Sequence, residues 1–420
     1  MLFFEGNEMR IAFGLFLFLF FTFYAYAEDH SGPFTLGNAD TPWGVNISPD
    51  KESSLQLRLG TRLQTVTSLR VRKDESTGDT SEFQDFYVRR GRFQVEAKYI
   101  EGIKFYMDIR NDDANKEDKG EGGFNIGDAY IETKDVFEIE GLKFRVFRAK
   151  VDVSRTETIS SSEILFLDRA HIADEAAQFV SHNRRASNAQ LLGVFDKWYF
   201  QLVAGDGVQK DKFHDAKGNN LSSGGVDSQK FMLGAKLRLY PIEGWEDKKP
   251  TETYLGNGKH ISIGGGAFYT GSIEYRNSSG TQVDEVSRTL TNIELSFHYR
   301  NLSFQSEYFY FDGVVEDFGA SSKNAGTSDG YYVQSEYVFP SLNYVAPFLR
   351  YEKWDKFKKI SDYDLVSQVA GINWYLKGNK LRLGLIYQYD KLDLNLRSAN
   401  KRGKTFEDDR QIKLTTMWHY

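Results

Sequence analysis

From Asn46 to its end the chain repeats one pattern, a polar–apolar alternation in short runs. In the last ten residues Ile412, Leu414, Thr416, Trp418 and Tyr420 alternate with Lys413, Thr415, Met417 and His419. Period two puts the two sets on opposite sides of a sheet. The same reading separates Leu381, Leu383, Leu385, Tyr387 and Tyr389 from Lys380, Arg382 and Gln388. It also separates Ile103, Phe105, Met107 and Ile109 from Lys104, Tyr106, Asp108 and Arg110, and Ile293, Leu295, Phe297 and Tyr299 from Glu294, Ser296, His298 and Arg300. About sixteen such runs are predicted, near 55–66, 84–99, 103–111, 124–133, 142–150, 189–196, 198–205, 229–240, 260–272, 288–299, 302–312, 329–339, 343–354, 363–376, 380–391 and 409–420. Their length suits tilted strands that cross a bilayer, and their even number suits a closed antiparallel ring.

A single strongly apolar stretch, Ile11 to Ala27, stands outside this pattern. Arg10 precedes it and Ala25-Tyr26-Ala27 ends it, so residues 1–27 read as a signal peptide cleaved after Ala27, with Met9 a candidate start. The competing reading is an uncleaved anchor helix. Residues 28–53 then form an N-terminal periplasmic segment, and residues 54–420 the membrane domain. Nothing later in the sequence resembles a spanning helix of about 20 apolar residues. In hydrocarbon an unpaired N–H or C=O costs several kcal/mol, so a chain that crosses with strands must close its sheet. The fold class expected is all-β, a transmembrane antiparallel β-barrel of about 16 strands.

Composition narrows the chemistry. With no Cys among 420 residues there is no disulfide scaffold, no Cys-ligated metal and no Cys nucleophile. Seven scattered His form no metal motif, so neither a metal nor any cofactor is expected. The formal net charge of −6 argues against nucleic acid as a partner. Carboxylates are plentiful but sit in no recognisable catalytic motif, and Gly264-Gly265-Gly266 lies inside a strand, so no enzyme is expected.

The connections alternate in length. Short ones include Glu101-Gly102, Asp196-Lys197, Arg300-Asn301, Pro340-Ser341 and Lys377-Gly378-Asn379. Long polar ones are expected at 67–83, 112–123, 206–228, 273–287, 313–328 and 391–408. Tight turns at one end and long loops at the other belong to outer-membrane barrels. Tyr240, Trp245, Tyr275, Tyr299, Phe311, Tyr351, Trp354, Trp374, Tyr375, Trp418 and Tyr420 lie at strand ends and are assigned to girdles at the lipid–water boundary. A soluble β-sandwich or β-helix is the competing reading. It would need more continuous apolar surface and cover for its edges.

Several segments resemble the phosphate-selective porin O and P family of Gram-negative outer membranes. They are Phe86-Tyr87-Val88-Arg89-Arg90-Gly91-Arg92-Phe93, Gly330-Tyr331-Tyr332-Val333-Gln334-Ser335-Glu336-Tyr337, Pro347-Phe348-Leu349-Arg350-Tyr351-Glu352 and Val369-Ala370-Gly371-Ile372-Asn373-Trp374-Tyr375-Leu376 followed by Leu381-Arg382-Leu383. The likeness covers roughly residues 50–420. It implies a sixteen-stranded barrel in the outer membrane, commonly a trimer, with a long third loop folded inward and an anion path lined by arginine and lysine. The chain departs from the family at Phe147-Arg148-Ala149-Lys150-Val151-Asp152-Val153-Ser154, which lacks the usual Gly and Pro.

Sorting the inward faces by sign gives a basic wall over the first five strands. Arg58, Arg62, Arg89, Arg92, Lys104, Arg110, Lys143, Arg145, Arg148 and Lys150 are the candidate pore-lining residues, and Lys98 joins them in the stripe. Strands ten to thirteen are more acidic, with Glu294, Glu307, Glu336 and Glu352 beside Arg300 and Arg350. A basic wall facing an acidic one would set up a transverse field. Wall charges paired with carboxylates are the competing account of these arginines. Phase conflicts around Arg89-Arg90-Gly91-Arg92, and a bulge at Gly91 would reconcile it. Residues 151–188 form the longest connection, with short helical turns expected at 164–171 and 174–179. A connection of this length is expected to be functional. Folded inward, it would present Arg155, Arg169, Arg184 and Arg185 at a constriction; the alternative is an exterior cap or trimer contact.

The reading is a passive porin for small hydrophilic solutes with a modest anion preference, partnered by outer-membrane lipid, small anions and two copies of itself. Two other classes compete: a structural or adhesive barrel sealed by its loops, and a sheath around a partner protein.

Overall fold

The computed structural model describes residues 34–36, 45–47, 55–74, 78–99, 102–116, 122–181, 184–207, 212–214, 220–228, 230–276, 282–314, 325–359, 363–392 and 406–419. The expected signal peptide and its cleavage site lie outside them. Sixteen long strands form the wall: β1 Leu55–Asp74, β2 Thr80–Tyr99, β3 Ile103–Ala114, β4 Asn125–Lys134, β5 Leu142–Arg148, β6 Ser187–Val194, β7 Trp198–Gly205, β8 Met232–Leu239, β9 Lys259–Arg276, β10 Gln282–Tyr299, β11 Leu302–Val314, β12 Gly326–Tyr337, β13 Val345–Asp355, β14 Asp364–Asn379, β15 Leu381–Leu392 and β16 Phe406–His419. Each pairs antiparallel with its neighbour. β16 returns to β1 from Phe406 opposite Asp74 to His419 opposite Arg62, which closes the ring. Closure gives every wall strand two partners and leaves no edge in lipid.

The predicted alternation corresponds to these strands one for one. Leu414, Ile412 and Trp418 are exposed outside, whereas Lys413, Thr415 and Met417 are buried inside. Two expected loops are shorter than predicted. β1 and β2 continue to Asp74 and from Thr80, and β9 and β10 continue to Arg276 and from Gln282. On β1 the outward apolar stripe continues past the predicted end, with Leu69 and Val71 exposed, and on β2 the outward face turns polar at Glu82 and Gln84 while the ladder goes on. Cross-strand pairs such as Arg70 with Asp409 hold it there. Within 206–228 a short hairpin, Lys212–His214 against Asn220–Ser228, adds to β9.

The girdle assignment was half right. Tyr299, Tyr351, Trp374 and Trp418 are exposed outside, and Trp245 stacks on Tyr299 with ring centroids 5.6 Å apart. Tyr240, Phe311, Trp354 and Tyr375 are instead buried inside the barrel. Proximity to a strand end does not fix which face a residue takes; phase does. The side chains of Tyr275 and Tyr420 lie outside the described residues. The turn-end belt is completed by Tyr99, Trp198, Tyr337 and Tyr344, and the loop-end belt by Tyr269, Tyr310 and Tyr331.

An arginine placed at Leu414, on the lipid face near the middle of β16, is expected to destabilise the barrel by about 2–4 kcal/mol. Urea titration of Leu414→Arg reconstituted in lipid vesicles measures this; stability equal to the parent would remove Leu414 from the lipid face.

Candidate permeation path

The connection between β5 and β6 enters the lumen. Its residues 151–181 are largely buried, with Val153, Ser154, Glu157, Ile172, Ala173 and Ala176 inaccessible. Its described residues include two short helices, α1 Arg155–Thr158, capped by the Ser154 hydroxyl accepting from Thr156 N–H, and α2 His171–Val180. The turn expected at 174–179 falls within α2. The one expected at 164–171 is not helical, because Leu165, Phe166 and Leu167 extend into an apolar niche of Val66, Tyr87, Phe348, Val369 and Ile386. α2 lays Ile172, Ala173, Ala176 and Phe179 on Phe268, Leu290, Phe309, Phe311, Tyr332 and Trp354 of β9–β13. Each large apolar side chain buried in this way contributes ~1.5–3 kcal/mol.

The acidic wall turns out to be the loop's anchorage rather than an open face. Glu294, Glu307, Glu336 and Glu352 are all at most 1% exposed. Glu352 accepts the His171 and Ile172 N–H groups at the start of α2, 3.0 and 2.5 Å away. This satisfies the orphan donors of a helix N-terminus with a charge of favourable sign. Glu307 accepts the Ser154 hydroxyl at 2.8 Å and the Arg155 N–H at 3.2 Å. Glu294 pairs with Lys236 at 2.7 Å and with Arg238, and Glu336 accepts the Tyr375 hydroxyl at 2.6 Å. The predicted transverse field across an open lumen is therefore replaced by a wall covered by the loop. Arg300 is exposed at a turn, beside the Tyr299 ring, and does not join the inward stripe.

A second segment, missed in the sequence, enters from the opposite mouth. The β8–β9 connection buries Asp247, Glu252 and Thr253. Asp247 pairs with Arg155, and the Glu252 carboxylate accepts the Leu165 N–H at 2.7 Å. Arg155 also donates to Ser262 at 3.1 Å and Tyr254 at 2.8 Å. Arg155 is thus a fully enclosed strut, away from the open volume. The signal available in the sequence was length: this connection is long although it lies at the end of the barrel where the other connections are short.

What remains open is a cavity of about 1400 Å³ between the inner loop and β1–β5. Its lining runs from Asn379, Lys380 and His419 beside a short turn to Gly122 and Gly123 of the long β3–β4 connection. Fifteen Lys and Arg line it against eight carboxylates, a formal excess of seven positive charges. Of the predicted residues, Arg58, Arg62, Arg89, Arg92, Arg110, Arg145, Arg148, Lys150, Arg169, Arg184 and Arg185 are among them. Lys104 and Lys143 are not; Lys104 lies between Glu96 at 3.9 Å and Glu132 at 3.6 Å. Arg90 and Lys249 line the cavity and were not predicted.

The bulge exists, but at Arg89. Gln64 faces Arg90 and Thr65 faces Val88, leaving Arg89 as the extra residue. The phase shift turns both Arg89 and Arg90 inward, which period-two reading forbids. Arg148 shares the phase of the exposed Phe144 and Val146; at the end of β5 its guanidinium reaches back to the carbonyls of Ile126 and Gly127 at 2.8 and 2.9 Å.

Pairing and excess charge coexist. Arg58 meets Glu96 at 3.1 Å, Arg89 meets Asp113 at 2.9 Å, Arg185 meets Asp128 at 2.6 Å, and Arg145 meets Glu132. Arg169 donates to the Thr156 and Ile159 carbonyls at 2.6 and 2.7 Å, and Lys150 to the Glu157 carbonyl at 3.0 Å. The registers place Arg62 of β1, Arg92 of β2 and Arg110 of β3 directly opposite one another. Asp112 serves two of the three, at 2.8 Å from Arg92 and 3.7 Å from Arg110. Arg62 is held by the hydroxyls of Ser161 at 2.7 Å and Ser160 at 2.9 Å. Like charges opposite one another in a sheet are destabilising, so stability alone does not account for this row.

The family described as "Phosphate-selective porin O and P" matches residues 68–411. Among solved structures the chain is similar to the outer membrane channel DcaP of Acinetobacter baumannii, with 11% identity, a TM-score of 0.59, and coverage of 89% of this chain and 99% of that one. It is similar to an anion-selective porin from Comamonas acidovorans, with 13% identity, a TM-score of 0.57, and coverage of 87% and 100%. It is also similar to OmpT, an outer membrane protein of Vibrio cholerae solved in trimer form, with 11% identity, a TM-score of 0.52, and coverage of 88% and 100%.

Two outcomes follow for the inner loop. Arg155→Ala leaves Asp247 buried without its cation, with the Tyr254 hydroxyl still donating to it, a loss of about 3–5 kcal/mol in docking, and single-channel conductance is expected to rise as the loop loosens; unchanged conductance would deny the strut. Burial works to raise the Glu157 carboxyl, but Lys150, Arg184 and Arg169 outweigh it and bring it down to about 2. A depressed carboxyl stabilises the folded loop fully above its ordinary value of 4.5, and this is lost as pH falls through about 2. Glu157→Gln should therefore conduct more than the parent at neutral pH, and the difference should vanish near pH 2 in planar bilayers.

Proposed function

This chain belongs to the phosphate-selective porin O and P family, and from that premise we propose that it is a passive outer-membrane porin for small hydrophilic solutes, with a modest preference for anions such as phosphate. The family and the closed barrel support an outer-membrane channel. The anion preference rests on one observation, the lateral row of Arg62, Arg92 and Arg110 facing a cavity whose lining carries an excess of positive charge. A cluster of one sign near low-dielectric walls concentrates counter-ions and lowers their barrier to entry. Arg58, Arg145, Arg148 and Lys150 extend the path toward the two mouths, and Arg169, Arg184 and Arg185 line it from the loop side. Lys104 and Lys143 act behind them through shared carboxylates such as Glu132.

The proposal includes a homotrimer, as the Vibrio cholerae relative's trimer form suggests, with residues 1–27 removed on export and residues 28–53 on the periplasmic side. Phosphate itself is supported by the family alone.

Reversal potentials in planar bilayers under a salt gradient test the preference. Neutralising one charge 5–10 Å from a passing ion in a wet pore removes ~0.4–0.8 kcal/mol. Arg62→Gln, Arg92→Gln and Arg110→Gln should each lower the anion-to-cation permeability ratio about fourfold to fifteenfold, since the anion's barrier rises and the cation's falls by this amount. Cation preference in the parent would overturn the selectivity, and absence of conductance would overturn the channel.

A further inference from the structure

We propose that Asp168 is a tethered counter-anion: it occupies an oxyanion-binding cluster of Arg89, Arg90 and Lys413, and a passing multivalent oxyanion displaces it. This rests on the channel reading above and adds a residue that sets the strength of the anion preference.

Arg89 approaches a single carboxylate oxygen of Asp168 with Nη2 at 2.6 Å and Nε at 3.1 Å. Arg90 approaches the same oxygen at 3.7 Å. Lys413, whose ammonium donates to Gln388 at 2.8 Å, lies close enough to attract the same group. The other oxygen of Asp168 takes none of these bonds. The carboxylate is delivered into the cluster rather than drifting there. Leu165, Phe166 and Leu167 just before it are at most 3% exposed. Arg90 donates to the Leu167 carbonyl and Arg350 to the Asp168 carbonyl, each at 2.9 Å.

Exposure separates the anion from its cations. The Asp168 side chain is 40% exposed, whereas that of Arg90 is 5% exposed. Dissolved anions can reach the carboxylate's position, while the cations form the back of the site. Arg89 and Arg90 also line the open cavity, so the cluster borders the path. The β2 bulge makes the cluster possible, since only an extra residue lets two consecutive arginines face the lumen. A half-exposed ion pair adds little to docking that three buried apolar residues already secure. Placed here, it does something else: it cancels local positive charge until a ligand with more charge takes its place. Chloride, with a single charge and no fork of oxygens, competes poorly for guanidinium donors, while a doubly charged oxyanion competes well.

The test uses the full chain in planar bilayers, with inorganic sulfate as probe and chloride as carrier. Asp168→Asn is expected to raise the chloride-to-potassium permeability ratio at least twofold. It should also lower the sulfate concentration that halves the chloride current at least fivefold. Adding Arg89→Gln to that variant should abolish the sulfate gain, and Asp168→Glu should behave as the parent. If Asp168→Asn keeps the parent's ratio and sulfate sensitivity, the proposal is overturned. It is overturned equally if conductance rises with both unchanged, because Asp168 would then only brace the loop. Should Asp168→Asn fail to assemble, Asp168→Ser is read by the same two quantities. A cation-selective parent would instead overturn the proposed function, independently of any shift between parent and variant.

Discussion

A peptide group in hydrocarbon has no water to bond to, and this single requirement shapes the whole molecule. The ladder between β16 and β1 gives the first and last strands their missing partners and turns an open sheet into a cylinder. Closure then divides the side chains. One phase of each strand meets lipid and is apolar; the other is enclosed and must find its own solvent. Because the enclosed volume is wide, it is filled partly by chain and partly by water, and the division between the two determines what can pass.

That division follows chemistry already written on the inner wall. On β9–β13 the loop-end half of the inward stripe is apolar, with Phe268, Leu290, Phe309, Phe311 and Trp354, and the loop packs there. Buried carboxylates beside it are satisfied by the loop's own N–H and hydroxyl groups, as with Glu352 at α2 and Glu307 at Ser154. Each would be costly if left unpaired away from water. On β1–β5 the inward stripe is mostly charged and its buried apolar seats for the loop are confined to Val66, Tyr87 and Phe147, so over the rest of that wall the loop stands off and water remains. The basic cavity is thus the complement of the loop's docking site.

The ring was legible because lipid enforces period two over many residues, and each run from 55–66 to 409–420 corresponds to a wall strand. Length marked residues 151–188 as functional, and the family resemblance pointed the connection inward. What alternation could not reveal were the places where it is broken or answers to something other than lipid. The bulge at Arg89 hid Arg90, since a single extra residue inverts phase without changing composition. The glutamates of β10–β13 looked like a free acidic face because their partners lie on other elements: for Glu307 and Glu352 they include backbone N–H groups more than a hundred residues away, and for Glu294 and Glu336 they are side chains of β8 and β14. Phe309 and Phe311 lie among Tyr308 and Tyr310, so both faces of β11 read as aromatic there. Only contact with α2 shows that one face seats a helix.

A cavity lined by both signs raises the question of why selectivity should exist at all. Charges in contact pairs, such as Arg58 with Glu96, act on a distant ion as a dipole whose field falls off faster than that of a free charge. At physiological salt an exposed dipole is further screened within about 8 Å. The field felt along the path is then governed by cations whose partners are neutral, such as Arg62 on two serine hydroxyls, or shared, such as Arg92 and Arg110 on Asp112. Few such groups suffice to tilt permeation, and the paired majority keep the tilt modest. The same pairs also fix side-chain geometry, since a guanidinium gripped by a carboxylate or carbonyl cannot swing across the slot and block it. In this lumen, pairing and permeation are therefore two consequences of one arrangement: most of the charge is spent on shape, and the small unpaired remainder sets the sign of what passes.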